Sequence, residues 1–71
     1  MSDVTTFGNN IYVADEDGCQ IVMLNFDGTV IKRFGKQGSG NLELKRPNGI
    51  TADSRGRIIV SDSLNHRVKV I

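Results

Sequence analysis

The chain has 71 residues, a length that allows no more than one small domain and limits the surface that folding can bury. The net charge is only +1, and a single cysteine excludes an internal disulfide framework and a cysteine-rich zinc module. No apolar run approaches the length of a membrane-spanning helix, and the N-terminus lacks the basic-then-apolar order of a signal peptide. We therefore expect a cytoplasmic protein without a membrane partner.

The charges are unevenly distributed along the chain. Residues 1–31 hold five acidic and no basic side chains, whereas residues 32–71 hold nine basic and three acidic ones, so the two parts carry −5 and +6. Such asymmetry is compatible with contact between the basic part and a polyanion. Ordinary solvated strand faces and turns explain it more simply.

Strand patterns follow one another along the chain, and no window holds a helical period. Short β-branched runs bounded by Gly, Asp, Asn and Ser predict seven strands. In chain order these are residues 1–6, 11–14, 19–26, 29–34, 50–53, 58–61 and 67–71. The dipeptide Asp27-Gly28 predicts a two-residue hairpin between the third and fourth strands. The sequence therefore predicts an all-β fold.

The strand pattern repeats itself. Residues 11–15 (IYVAD) match residues 58–62 (IIVSD), and residues 20–24 match residues 67–71, in both cases 47 positions apart (58 − 11 and 67 − 20). A period of about 40 to 50 residues with four strands per repeat is typical of β-propeller blades. The same offset aligns residues 1–6 with residues 48–53, so that Ser2-Asp3 replaces Gly49-Ile50.

The second copy carries a recognisable motif in residues 47–50 (PNGI), 53–62 (DSRGRIIVSD) and 65–70 (NHRVKV). This pattern resembles the NHL repeat, a propeller blade motif named after Asn-His-Leu. Residues 26–40 resemble the remainder of such a blade. In the first copy Gly18-Cys19-Gln20 stands where Asn65-His66-Arg67 stands in the second.

The resemblance implies a partial β-propeller of NHL type with about one and three quarter four-stranded blades. Residues 1–34 would form the first blade, residues 35–46 the inter-blade connection, and residues 47–71 a second blade without its outer strand. Leu42 and Leu44 are expected to pack the connection against the sheet. Because propellers close with about four to eight blades, we expect a fragment or a self-assembling unit of a six-bladed propeller. Its partners would be the remaining blades or further copies of the chain.

Several polar residues have the types needed for chemistry, but each has a simpler structural interpretation. Ser61, Asp62 and His66 lie around one turn, where Asp usually accepts hydrogen bonds from the following amides. Cys19 and His66 occupy equivalent positions that would ring a propeller axis without touching, and a zinc site needs about four ligands. We predict no catalytic residue, no metal site and no cofactor. Cys19 is expected to be a small, partly buried hydrophobe.

Asp15 and Asp62 end the same strand in the two copies, and both are expected to form turns. Asp62 has Arg67 within reach across its hairpin, so an ion pair is expected there. Gln20 replaces that arginine in the first copy, so the pair is not expected to recur.

Two kinds of connection would share one face of a propeller: those between the second and third strands of a blade, and those between blades. Binding residues concentrate on loops that a rigid scaffold holds. The side chains expected on that face are Lys36, Gln37, Lys45, Arg46, Asn65, His66 and Arg67. They suit phosphates and unpaired bases, but RNA recognition usually also needs stacking aromatic rings. The three phenylalanines are expected to be packed.

The resemblance also implies a function, because tripartite-motif NHL ubiquitin ligases use the propeller to recognise RNA or proteins. We therefore expect a non-catalytic binding platform for a protein or single-stranded RNA, and no binding to DNA. With RNA, Lys36, Lys45 and Arg46 would contact phosphate, while Asn65 and His66 would meet bases. The alternatives are a structural, self-assembling propeller fragment without a ligand, and part of a propeller lyase or lactonase.

Overall fold

The chain forms two antiparallel sheets, described by a computed structural model over residues 2–41 and 43–71. The first sheet contains β1 (Ser2–Phe7), β2 (Asn10–Asp15), β3 (Gln20–Asn25) and β4 (Val30–Phe34), in that order. The second contains β5 (Pro47–Ala52), β6 (Ile58–Asp62) and β7 (Arg67–Val70), and a 3₁₀ turn at Ser63–Asn65 joins β6 to β7. The all-β prediction is confirmed. The expectations for Met1 and Leu42 lie outside the described residues.

The connection between β3 and β4 is longer than the predicted two-residue hairpin. The backbone N–H of Asn25 donates to the carbonyl of Thr29 at 3.0 Å, and a bulge shifts the pairing at Met23/Leu24. The side chain of Asn25 also accepts from the amides of Asp27 and Thr29, at 3.3 and 3.1 Å. This Asx-type turn draws two further residues into the loop, so the prediction of a two-residue turn is wrong.

The two sheets repeat the same hairpins, with one shift in register. β2 and β6 are equivalent at an offset of 47, because β2–β3 and β6–β7 pair in the same way. Val13 pairs with Val4, however, whereas Val60 pairs with Ile50. Val4 and Ile50 are therefore equivalent and 46 positions apart (50 − 4). Val4 and Val13 are nine positions apart, whereas Ile50 and Val60 are ten apart, so the first hairpin is one residue shorter and the predicted alignment of the first strand is wrong by one position.

The hydrophobic core lies between the two sheets. Because paired residues of neighbouring strands share a face, each sheet directs one apolar face towards the other. Leu44 is buried in this core, which confirms the expectation that it packs the connection against the sheets. The buried core residues are Ala14, Ile21, Leu44, Ile50, Ile58 and Val60.

β7 is the outermost strand of the second sheet and pairs only with β6 within the described part of the chain. In the first sheet, β4 covers the equivalent edge of β3. Within these residues the second sheet therefore has three strands where the first has four. Within the same residues, no helix has the length and apolar character needed to cross a membrane.

Candidate functional site

The predicted shared face forms at one end of the sheets, where the connection meets the β2–β3 and β6–β7 turns. The guanidinium of Arg46 lies 2.7 Å from the carboxylate of Glu16 and 3.5 Å from that of Asp17, both in the β2–β3 turn. The Ser63 hydroxyl donates to the Arg46 carbonyl at 2.7 Å, and the Leu64 amide donates to the Lys45 carbonyl at 3.1 Å. The described residues of these three segments (16–19, 35–41 with 43–46, and 63–66) are called the loop face below.

The buried carboxylate of Asp62 lies at the base of the loop face and binds residues on both sides of it. Its side chain is fully buried and accepts from the Lys45 amide at 2.6 Å, from Asn65 Nδ2 at 2.9 Å and from Arg67 Nε at 2.8 Å. Burial by itself would raise the pKa of this carboxyl, but hydrogen bonds from Asn65, the Lys45 amide and Arg67 outweigh it and lower the pKa below the usual value. Asp62 is therefore held as a fully partnered carboxylate.

Arg67 and Asn65 extend this network into the connection. Nη2 of Arg67 donates to the carbonyls of Gly40 and Glu43, at 2.8 and 2.7 Å, while its Nε reaches Asp62. Asn65 Nδ2 also donates to the carbonyl of Gly38 at 2.9 Å. Both side chains therefore anchor the backbone of the connection, at Gly38, Gly40 and Glu43, to the second sheet. This role could not be predicted from the sequence, because the acceptors are backbone carbonyls, which every residue has.

The first sheet contains a reduced form of the same arrangement. Asp15 accepts from Gln20 Nε2 at 2.9 Å and from the Gly18 amide at 3.1 Å. These two hydrogen bonds, that of Gln20 first, lower the pKa of Asp15. The ion pair of Asp62 does not recur, as expected, but a hydrogen bond takes its place because Gln20 stands in the position of Arg67.

Cys19 and His66 are structural equivalents, as the offset predicted. Both adopt the left-handed backbone conformation, with φ of 53° and 54°. Cys19 is buried, whereas His66 is exposed on the loop face. Metal-ligand side chains do not gather in groups of three or more anywhere in the described residues.

The residues that build this arrangement fall within a known repeat. Residues 44–71, which carry Asp62 and all three of its donors, match the sequence model of the NHL repeat. The chain carries an NHL repeat over these residues. Its two sheets are partial NHL propeller blades, one with four strands and one with three.

Curated proteins with NHL repeats are also similar to this chain. Protein lin-41 of Caenorhabditis elegans is 58% identical over 40 residues, which cover 56% of this chain and 4% of that protein. NHL repeat-containing protein 3 of Homo sapiens is 33% identical over 64 residues, or 86% of this chain and 18% of that protein. E3 ubiquitin-protein ligase TRIM71 of Rattus norvegicus is 42% identical over 43 residues, which cover 61% of this chain and 5% of that protein. The chain thus spans only a small part of these relatives.

The seven predicted ligand residues all lie in or beside the loop face of the NHL blades, but they differ in what their side chains do. Asn65 and Arg67 are committed to the connection, and Arg46 is paired with two acidic side chains. Lys36 is 79% exposed and lies 3.7 Å from Glu43. The side chains of exposed Gln37 and His66 and of half-buried Lys45 make no hydrogen bond within the described residues. Their role as ligand contacts stays a prediction.

Sequence reasoning missed an apolar residue on the loop face and two exposed aromatic rings. Leu64, in the 3₁₀ turn that precedes His66, is 53% exposed. Phe7 and Phe26 are 39% and 62% exposed at the opposite end of the sheets, so the expectation that all three phenylalanines are packed is wrong for these two. Phe7 ends β1 and Phe26 follows β3, and the turn at Gly56 approaches one side of the Phe7 ring. Phe34 is half-buried and packs against the core.

Proposed function

We propose that the chain is a non-catalytic recognition platform whose loop face binds a protein partner with an acidic surface. The observation that carries the proposal is that Lys36, Lys45, His66 and the exposed Leu64 share the loop face, where the buried Asp62 carboxylate holds the Lys45 amide. Basic side chains next to an apolar anchor suit a protein surface that combines carboxylates with an apolar residue.

Single-stranded RNA is the second candidate, because Lys36 and Lys45 could also neutralise phosphates. Binding of unpaired bases normally uses aromatic rings as stacking platforms. The exposed rings of Phe7 and Phe26 lie at the other end of the sheets, away from these lysines. A protein partner is therefore favoured. The name of the rat relative, an E3 ubiquitin-protein ligase, describes an enzyme that acts on proteins and supports the same choice.

The proposal is tested by titrating the ¹⁵N-labelled chain with two probes, a glutamate–leucine copolymer peptide and single-stranded oligouridylate. We expect the peptide to shift the amide signals of Lys36, Lys45, Leu64 and His66. The double variant Lys36→Ala with Lys45→Ala should bind about three- to tenfold more weakly, as expected for two exposed charges. Arg55→Ala is the matched control, because it removes one exposed cation at the other end of the sheets.

Either of two results would contradict the proposal. Peptide-induced shifts confined to the Arg55 end of the molecule would place the binding surface elsewhere. Saturable binding of oligouridylate that weakens steeply with salt, without peptide binding, would replace the protein partner with RNA.

A further inference from the structure

The two NHL blades pack through one face each, and within residues 2–41 and 43–71 no further sheet lies on the other face of either blade. In the first sheet, Ala14 and Ile21 face the second sheet and are fully buried. In the second sheet, Ile50 and Val60 face the first sheet and are buried. The uncovered face of the first sheet (Val4, Thr6, Ile11, Val13 and Val22) is called the front face, and that of the second sheet (Thr51, Ile59, Ser61, Val68 and Val70) the back face.

The back face repeats the core-facing side of the first sheet but is exposed. Val68 is the equivalent of Ile21, yet Val68 is 67% exposed while Ile21 is 0% exposed. Ser61 is likewise the equivalent of buried Ala14. Val70 beside them is 60% exposed. The back face therefore has the residue types of a blade junction, without a blade packed on it among the described residues.

The front face repeats the core-facing side of the second sheet. Val4 is the equivalent of Ile50, and Val4 is 57% exposed while Ile50 is 8% exposed. Val13 is the equivalent of Val60, again with an apolar β-branched side chain. The front face thus repeats the side of the second sheet that packs in the core. The back face repeats the side of the first sheet that packs against it.

From this duplication we propose that a second copy of the chain packs its front face on the back face of the first, head to tail. The contact repeats the junction between the two blades of one chain, in the same orientation. It is heterologous, so each copy keeps one free front face and one free back face for further copies. Contacts of this type close into rings or extend into filaments.

The distribution of charge selects this orientation. Residues 1–34 hold two basic and five acidic side chains, whereas residues 35–71 hold seven basic and three acidic ones. Head-to-tail packing places the acidic blade of one copy beside the basic blade of the next. Pairing of two back faces would instead bring two basic blades together, which like-charge repulsion disfavours.

Two polar contacts of the internal junction are missing from the proposed one. Asp3 accepts from the Ile50 amide at 3.0 Å inside the chain, but its equivalent in the second sheet is Gly49, which has no side chain. Glu16, which pairs with Arg46, has Ser63 as its equivalent. The contact between copies therefore relies on apolar burial, and we expect assembly that depends on protein concentration in the micromolar range.

Sedimentation velocity of the full chain over a wide range of micromolar concentrations tests the proposal. The wild type should form species larger than a monomer. Val68→Glu and Val4→Glu each place a charge on one of the two faces, and each variant alone should lose this assembly, with a dissociation constant raised by about tenfold or more. Phe26→Ser is the matched control, because Phe26 is 62% exposed in a turn outside both faces. Circular dichroism establishes that each variant is folded.

Mixing the two glutamate variants separates head-to-tail packing from symmetric pairing. The Val68→Glu copy keeps an intact front face and the Val4→Glu copy an intact back face, so the mixture should form a one-to-one dimer and nothing larger. A wild type that stays monomeric, variants that assemble like the wild type, or a mixture without dimer would each overturn the proposal.

Discussion

Nε of Arg67 lies 2.8 Å from Oδ2 of Asp62, and this ion pair fastens the inter-blade connection to the second blade. The carboxylate is fully buried, and the guanidinium also holds the carbonyls of Gly40 and Glu43. A buried charge that loses its partner is costly, whereas a complete pair is roughly neutral relative to apolar packing. The loss of stability should therefore be largest when only one member of the pair is substituted.

Asp62→Asn should strongly destabilise the chain. The amide has one acceptor oxygen, so the Lys45 amide, Asn65 and Arg67 cannot all keep their acceptors, and the charge of Arg67 loses its counterion. The loss should be about 3–5 kcal/mol in the free energy of unfolding, measured by urea denaturation. Asp17→Asn, at a side chain that is 79% exposed, should change it by less than about 1 kcal/mol. Equal effects of the two substitutions would contradict the assigned role of Asp62.

Stability should fall as the pH drops below about 4. The pKa values of Asp15 and Asp62 are lowered from the ordinary 3.8 in the folded chain. A carboxyl with a lowered folded pKa contributes its full stabilisation above the unfolded pKa and loses it as the pH falls through the folded value. Thermal unfolding between pH 2 and 7 should therefore show a plateau above about pH 5 and a decline below about pH 4. In Asp62→Asn the decline should be shallower, and an unchanged slope would contradict this account.

Gly56→Ala should destabilise more than Gly8→Ala. Gly56 has φ of +83°, and a Cβ there would lie 2.6 Å from the Phe7 ring, whereas a Cβ at Gly8 (φ +59°) would meet nothing within 4 Å. Left-handed backbone costs both variants about 1–2 kcal/mol, and overlap with the ring adds about 1–3 kcal/mol at Gly56. In a double-mutant cycle, Phe7→Ala should remove the added cost of Gly56→Ala. Additive effects would show that the ring does not restrict this turn.

His66→Gly should be more stable than His66→Ala by about 1 kcal/mol, because residue 66 has φ of 54° and only glycine adopts this conformation without a steric penalty. Chemical denaturation measures the difference. If His66 contacts the protein partner, both variants should bind the glutamate–leucine probe more weakly than the wild type. If His66→Gly is more stable than the wild type but binds the probe more weakly, the backbone strain at residue 66 is retained for function. Unchanged probe binding would remove His66 from the proposed surface.

Much of the fold could be predicted from the sequence, because β-branched runs and turn residues mark strands locally. The equivalence of Cys19 and His66 followed from the 47-residue offset alone. The register of the first strand could not be predicted this way. Because the first hairpin is one residue shorter, Val4 and not Asp3 is the equivalent of Ile50. A fixed offset carries no information about such an insertion.

The location of the candidate site residues could be predicted from the sequence, but the contacts that their side chains make could not. Connectivity brought the seven polar residues to one end of the sheets, as expected. Asn65 and Arg67 have the residue types of ligand contacts, yet their side chains donate to the backbone carbonyls of Gly38, Gly40 and Glu43. Leu64 resembles a packed residue by type but is exposed, because the 3₁₀ turn lifts it away from the sheet.

The sequence by itself determined the strands and the blade-sized repeat, because both depend on neighbours a few positions apart and on residue types that recur at a fixed spacing. Only the tertiary structure decided which faces are buried and which polar groups are satisfied. Those outcomes depend on contacts between distant residues, such as the Asp3 carboxylate with the Ile50 amide and the Asp62 carboxylate with the Lys45 amide. Such contacts exist only once the two sheets have packed together.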